Sequence, residues 1–326
     1  MKKIIQKSIS RRKAIQSGLL LTMGSITSTF YGSELKSLGR PSKERRDLPF
    51  RISLNTSTLI HYNLGVDEQI RMVAKAGFDG VELWMRDIMT YLSNGGTASE
   101  LKSLLESNNL LLENIIGFSK WCSDKEEERD EALEQLKKEM SIIAEMGGKF
   151  IAAPVQGIDA INPDKYQEYA KRYRRILDLG DSTGVTPILE LWGMGALNKV
   201  ADCAQIAISS GHPKAKILLD FYHVYRGGNS WETIDFLNGA ILPVMHMNDY
   251  PASPSFNKLN DGDRVLPGEG ICDYNSIIPK MYEAGFRGGF SVELFNKGYW
   301  ESMDAETMLK ESYEKSLKVL STAMNI

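Results

Sequence analysis

From residue 50 onward the chain alternates two patterns of apolar positions. Short runs rich in β-branched and aromatic residues, bounded by glycine or polar residues, read as strands. The longer segments between them place apolar residues at every third or fourth position, the spacing of one helix face. The strand candidates are FRISLNTS from Phe50, GVELWM from Gly80, LLLENIIGFS from Leu110 and KFIAAPV from Lys149. They continue with TPILELWG from Thr186, AKILLDFYH from Ala215, LPVMHMND from Leu242 and GGFSVELFN from Gly288. Helical segments include Val66–Ala76, Glu127–Met146, Asp164–Ser182, Ile277–Ala284 and a last one from about Asp304 to Met324. Eight strands with intervening helices predict an α/β fold over residues 50–326, a single-domain (β/α)8 TIM barrel. An open doubly wound sheet would carry a glycine-rich phosphate turn after its first strand, and SLNTSTLIHYN has none.

An internal echo points the same way. AKAGFDGVELW (Ala74 to Trp84) and YEAGFRGGFSVELF (Tyr282 to Phe295) both close a helix on Ala-Gly-Phe and then open a strand. Both strands end on Val-Glu-Leu-aromatic. The glycine stops the helix because it takes the left-handed conformation without a Cβ clash. Helix, glycine stop and strand form the unit that a barrel repeats around its ring.

The first 49 residues lack this alternation. Residues 1–33 have a basic start, the pair Arg11-Arg12 and a mildly apolar stretch from about Ser17 to Phe30. That stretch is too short and too rich in Ser, Thr and Gly to span a membrane. It reads as a signal peptide, and the twin arginine resembles a Tat signal. The expected location is therefore outside the cytoplasm, in the periplasm. Residues 34–49 read as a polar linker.

The chain has 326 residues and a formal net charge of only -3, so it lacks the basic surplus of a nucleic-acid binder. Its three cysteines, Cys122, Cys203 and Cys272, are too scattered for a disulfide framework or a thiolate metal site. At most one bridge could form.

Candidate chemistry lies at the strand ends, where a barrel builds its site. Four strands carry one ionisable residue each: Glu190 in ILELWG, Asp220 in LLDFYH, His246 in VMHMND and Glu293 in SVELFN. Strand alternation points Ile188 and Trp192, Leu218 and Tyr222, Val244 and Asn248, and Ser291 and Phe295 the same way as these four, and each set could fill the barrel centre. Three carboxylates and an imidazole in one cavity repel unless something positive neutralises them. One divalent cation does so, and an O3N donor set suits Mn2+, Mg2+, Co2+ or Zn2+. Asp220 and His223, three apart, can serve one cavity only if the strand ends between them.

These residues resemble the xylose-isomerase-like barrel superfamily, which includes tagatose 3-epimerase, hydroxypyruvate isomerase, and inosose isomerase and dehydratase. That pattern has Glu at the end of strand five, Asp-x-x-His at strand six, His at strand seven and Glu at strand eight. Here these are Glu190, Asp220 with His223, His246, and Glu293, followed by a loop DRVLPGEG (Asp263 to Gly270) similar to the family's Arg-x-x-Pro-Gly-x-Gly. The resemblance implies Glu190, Asp220, His246 and Glu293 as metal ligands, with Glu190 and Glu293 as the catalytic pair. One carboxylate removes the proton α to a ketone and the other can return it, through an enediolate. Return to the neighbouring carbon isomerises, return to the opposite face epimerises, and loss of a β-substituent eliminates.

By the same resemblance His223 and Arg264 contact substrate hydroxyls. Glu82 is a further candidate hydrogen-bonding residue, and Trp84, Trp121 and Trp192 offer aromatic faces for a sugar ring. The run LWGMG after Glu190 replaces a polar run of the tagatose epimerase pattern, favouring a cyclic or otherwise altered polyol. The expectation is a divalent-metal-dependent isomerase or epimerase of an unphosphorylated keto-sugar or keto-inositol. A lyase or dehydratase acting on a keto-sugar, keto-glycoside or inosose is the alternative. An AP endonuclease, which shares the superfamily, and a non-catalytic sugar-binding protein are more remote. The expected partner is a small sugar or polyol, with no nucleic acid and no membrane after signal removal. Association into a homo-oligomer is left open.

Overall fold

A computed structural model describes residues 48–326; the expected signal segment and all but the last two residues of the expected linker lie outside the described residues. Eight strands form a closed parallel barrel in sequence order. They are β1 (Arg51–Asn55), β2 (Gly80–Trp84), β3 (Leu111–Ile116), β4 (Phe150–Pro154), β5 (Thr186–Glu190), β6 (Ile217–Asp220), β7 (Val244–Met247) and β8 (Gly289–Val292). The ring closes where β8 pairs with β1, Ile52 beside Phe290 and Leu54 beside Val292. The helices among the described residues are α1 (Val66–Lys75), α2 (Met85–Ser93), α3 (Ala98–Ser107), α4 (Glu126–Glu145) and α5 (Tyr166–Thr183). They continue with α6 (Val200–Ser209), α7 (Phe221–Arg226), α8 (Tyr274–Glu283), α9 (Lys297–Ser302) and α10 (Ala305–Met324). None is long and apolar enough to cross a membrane. The TIM barrel expected from the sequence is the fold.

Strand alternation divides the core in two. Ile116, Ala152, Ile188, Leu218 and Val244 form a separate apolar cluster, and their neighbours Leu189, Leu219 and Met245 belong to the larger core. A parallel strand buried on both faces needs apolar residues at both parities, which explains its near-continuous hydrophobic run. The echo is structural as well: Gly77 and Gly285, which follow α1 and α8, share a φ of 98°, and the phenylalanines after them, Phe78 and Phe286, are fully buried.

One polar group breaks the apolar rule at the other end of the strands. Glu113 receives Arg51 Nε at 2.6 Å, Arg51 Nη2 at 2.8 Å and Ser53 Oγ at 2.8 Å. Gly80 and Gly289 make room for it, since a Cβ on either would lie within 3 Å of the Glu113 side chain. The register between β2 and β3 slips here, Val81 facing Leu112 and Glu82 facing Asn114. Glu113 is the extra residue of a bulge, so Asn114 keeps the inward parity that a regular strand would have denied it.

Candidate active site

Glu190 and Asp220 are the last residues of β5 and β6, His246 lies within β7, and Glu293 directly follows β8. All four are at least nine-tenths buried. His246 Nδ1 is their common neighbour, 3.2 Å from Glu293 Oε2, 3.6 Å from Asp220 Oδ2 and 3.9 Å from Glu190 Oε1. Donor atoms of Asp220, His246 and Glu293 lie within 4.8 Å of one another. His246 Nδ1 and Glu190 Oε2 are buried without a hydrogen-bond partner, Nδ1 being close to the carboxylates but poorly aligned with them. Orphaned donor atoms facing three carboxylates fit a divalent cation, and oxygen with imidazole nitrogen is the donor chemistry such a cation prefers.

The second imidazole nitrogen is already engaged. His246 Nε2 is hydrogen-bonded to Glu82 Oε2 at 3.3 Å, and Asn114 Nδ2 donates to the same oxygen at 2.8 Å. A carboxylate can only accept, so Nε2 carries hydrogen and Nδ1 is the nitrogen left for a cation. Glu82 is fully buried and does not line the cavity. Other amides hold the carboxylates. Asn55 Nδ2 donates to Glu293 Oε1 at 2.9 Å and Trp84 Nε1 donates to Asn55 Oδ1 at 2.9 Å. Asn248 Nδ2 donates to Asp220 Oδ2 at 3.0 Å.

The chain does turn between Asp220 and His223. β6 ends at Asp220, whose Oδ1 accepts the His223 backbone N–H at 2.9 Å and caps α7. His223 thereby leaves the strand, and its Nε2 lies 3.0 Å from Arg264 Nη2. Arg264 is almost wholly buried. It reaches Glu293 Oε2 at 2.5 Å, Asp220 Oδ2 at 3.4 Å and Asp261 Oδ1 at 2.7 Å. Its guanidinium centre lies 4.6 Å from the Tyr222 ring and 5.0 Å from the Phe295 ring.

Burial and charge shift these groups apart. Burial pushes Glu190 up to about 8, with the Glu293 charge adding to it against the opposing pull of His246. Burial would likewise raise Asp220, but Arg264, His223 and His246 outweigh it and hold the carboxylate low. Burial alone would lower His246, yet Glu293 and Glu82 raise it well above the ordinary range. Without a cation the imidazole takes up the positive charge that the carboxylates demand. Burial and the nearby Arg264 press His223 down to about 4, keeping it neutral.

A cavity of about 460 Å³ brings together Glu190, Glu293, His223 and Arg264 with Trp84, Phe118, Trp192 and Phe295. Trp121, expected from the sequence beside the other tryptophans, is buried elsewhere and donates its Nε1 to the Pro154 carbonyl at 2.8 Å. Of the four histidines only His223 and His246 join the site. His61 stacks on Trp300 and His212 lies 3.2 Å from Asp181. Asn248 has the inward parity that strand alternation gives it beside His246; Asn55, Asn114 and Asp261 were not anticipated, because a neutral amide or a loop carboxylate gives no signal in a single sequence.

Residues 70–322 match the family described as xylose isomerase-like TIM barrel. The chain belongs to that family. Among curated relatives within reach of this xylose isomerase-like barrel is the inosose isomerase of Bacillus velezensis, 22% identical over 278 residues, covering 83% of this chain and 97% of the relative. The 3-dehydroshikimate dehydratase of Pseudomonas putida is 22% identical over 243 residues, covering 71% of this chain and 36% of the relative. The 3-dehydro-D-guloside 4-epimerase of Escherichia coli is 21% identical over 253 residues, covering 73% and 90%. The crystal structure of an IolI protein with a bound zinc atom superposes with a TM-score of 0.78 at 19% identity, covering 85% of this chain and all of that one.

Proposed function

We propose that this protein is a divalent-metal-dependent isomerase or epimerase of an unphosphorylated keto-sugar or keto-inositol. The observation that carries this reading is the pair Glu190, ending β5, and Glu293, just after β8, both facing His246 Nδ1 at the cluster of donor atoms found among the described residues. Relatives named as inosose isomerase and 3-dehydro-D-guloside 4-epimerase support it. Asp220, His246, Glu293 and Glu190 would hold the cation, which supplies Lewis-acid polarisation of a ketone carbonyl and its neighbouring hydroxyl. In this reading one of Glu190 and Glu293 accepts the α-proton and the other delivers it; both line the same cavity. The high proton affinity of Glu190 suits a carboxylate that must both take and return a proton near neutral pH. His223 Nδ1 and Arg264 Nε, both buried without a hydrogen-bond partner, are the donors these two residues would offer to hydroxyls. Glu82 belongs behind His246, positioning the imidazole rather than touching substrate.

The cavity lining favours an unphosphorylated substrate, because its one cationic side chain, Arg264, is already committed to Asp220, Asp261 and Glu293. Export through a Tat signal, read from residues 1–33, agrees with this choice. The dehydratase relative supports a second outcome, elimination from the same enediolate.

The test is incubation of metal-loaded protein with candidate keto-sugars and inososes in D2O. Deuterium should enter at the α-carbon with wild type and not with Glu293→Gln. Loss of water or of a substituent, read by mass, assigns the lyase outcome. Absence of exchange from every candidate would sink proton abstraction.

A further inference from the structure

The polar cluster is overlaid by a second, aromatic layer that the proton chemistry does not use. Trp84, Trp192 and Phe295 each follow a glutamate of the site by two residues, Glu82, Glu190 and Glu293. Phe118 follows the interior residue Ile116 by the same interval. In an extended chain two residues return a side chain to the same face one layer further along, here toward the mouth. The four rings form one connected arc. Phe295 to Trp84 is 6.4 Å between ring centroids, Trp84 to Phe118 is 5.4 Å, and Phe118 to Trp192 is 5.9 Å. Trp84 is held by its bond to Asn55 and by Arg86 stacked 4.4 Å from its ring. Phe118 and Met194 are 37% and 44% exposed at the outer edge.

We propose that this arc is a subsite for the aglycone of a keto-glycoside, a ring with an apolar face joined to the keto-sugar that reacts below. The inference rests on the proposed proton chemistry for the inner end and narrows its substrate class. A free polyol carries hydroxyls around its whole edge, and those facing the arc would be desolvated without partners. An aryl group, or the C–H face of a second sugar ring, matches instead the π surface and the apolar edge. The cavity of about 460 Å³ leaves room beyond a single six-membered ring. The arc is continuous with the cavity that holds Glu190 and Glu293, so the molecule that covers it is the one whose other end reaches the carboxylates. The non-polar run LWGMG after Glu190 thus acquires a role: Trp192 and Met194 both line the cavity.

Calorimetry on Mn2+-saturated protein tests the subsite without turnover, using unoxidised methyl, p-nitrophenyl and cellobiose-type β-glucosides as probes. The p-nitrophenyl and disaccharide probes should bind at least tenfold tighter than the methyl glucoside. Trp192→Ala and Phe118→Ala should each shrink that ratio several-fold, with circular dichroism confirming the fold. Phe118 is exposed enough that its replacement tests the idea even if Trp192→Ala misfolds. A ratio near one, a ratio unmoved in a folded variant, or no binding of any glucoside overturns the subsite. Deuterium exchange with a free keto-sugar, measured separately, then tells whether the proton chemistry stands or falls on its own.

Discussion

Glu82 and Glu293, the glutamates of the two Val-Glu-Leu-aromatic runs, sit against opposite nitrogens of the same imidazole. Glu82 is 3.2 Å from His246 Nε2 and Glu293 is 3.2 Å from His246 Nδ1. The internal echo therefore supplies both the carboxylate behind the histidine and the carboxylate that would share the proposed cation with it.

Replacing Glu82 by Gln tests the orienting role. A glutamine amide can turn its NH2 toward Nε2, which then accepts and leaves hydrogen on Nδ1, the nitrogen needed by the metal. Metal affinity in a chelator-competition titration should fall by roughly 10- to 100-fold, the range for loss of such a partner. Unchanged affinity in a folded variant would show that Asn114 and packing alone fix the ring.

Glu190 gives the metal-free protein a signed pH dependence. Its pKa is near 8 in the folded protein against an ordinary 4.5, so the folded state holds a proton that the unfolded state releases between those values. Stability from this group is thus full below the lower value and declines as pH rises to the upper one, by at most about 1.4 kcal/mol per pH unit. Urea unfolding of metal-free wild type and Glu190→Gln at several pH values should show the difference closing, then reversing in favour of the variant as pH rises. A difference independent of pH contradicts the raised pKa.

All three thiols are free, and two of them are protected by burial. Cys122 and Cys203 are buried, no bridge joins any of the three, and burial pushes the Cys122 thiol up to about 12. A thiolate-selective reagent at neutral pH should leave Cys122 and Cys203 unlabelled in the folded protein and reach all three after denaturation, with no prior reduction needed. Rapid labelling of Cys122 in native buffer would contradict its packing.

Leu218 belongs to the apolar layer beneath Asp220 and is fully buried, whereas Ile208 on α6 is 77% exposed. Leu218→Ala should lower unfolding free energy by about 2–5 kcal/mol, and Ile208→Ala should change it by less than about 0.5 kcal/mol. Denaturant midpoints check both, and metal affinity should fall only in the Leu218 variant because its side chain supports the strand that carries Asp220.

Much of this site could be read from residue order alone because a parallel barrel leaves a simple trace. An apolar strand that stops on a charge announces its open end, as at Glu190 and Asp220. What stayed hidden has equally physical causes. AKILLDFYH reads as one strand because Phe221 and Tyr222 are apolar and buried like the strand before them, yet the chain turns into α7 as soon as Asp220 caps it. Asn55, Asn114 and Asn248 matter through the carboxylates they face, and such pairing is set by topology rather than by local pattern; Asn248 reaches Asp220 at a separation of 28, Asn114 reaches Glu82 at 32 and Asn55 reaches Glu293 at 238. The bulge at Glu113 breaks the period of two on which inward and outward assignments depend.

Ring closure has a consequence for how the protein is made. β1 finds its second neighbour only in β8, and Glu293 lies just beyond that strand, while its amide partner Asn55 ends the first. On the ribosome, β1 therefore waits with one open edge until nearly the whole chain has emerged. A nascent chain halted before Gly289 has neither a closed barrel nor a complete donor set. Synthesis of the last strand is the moment at which fold and chemistry come into being together.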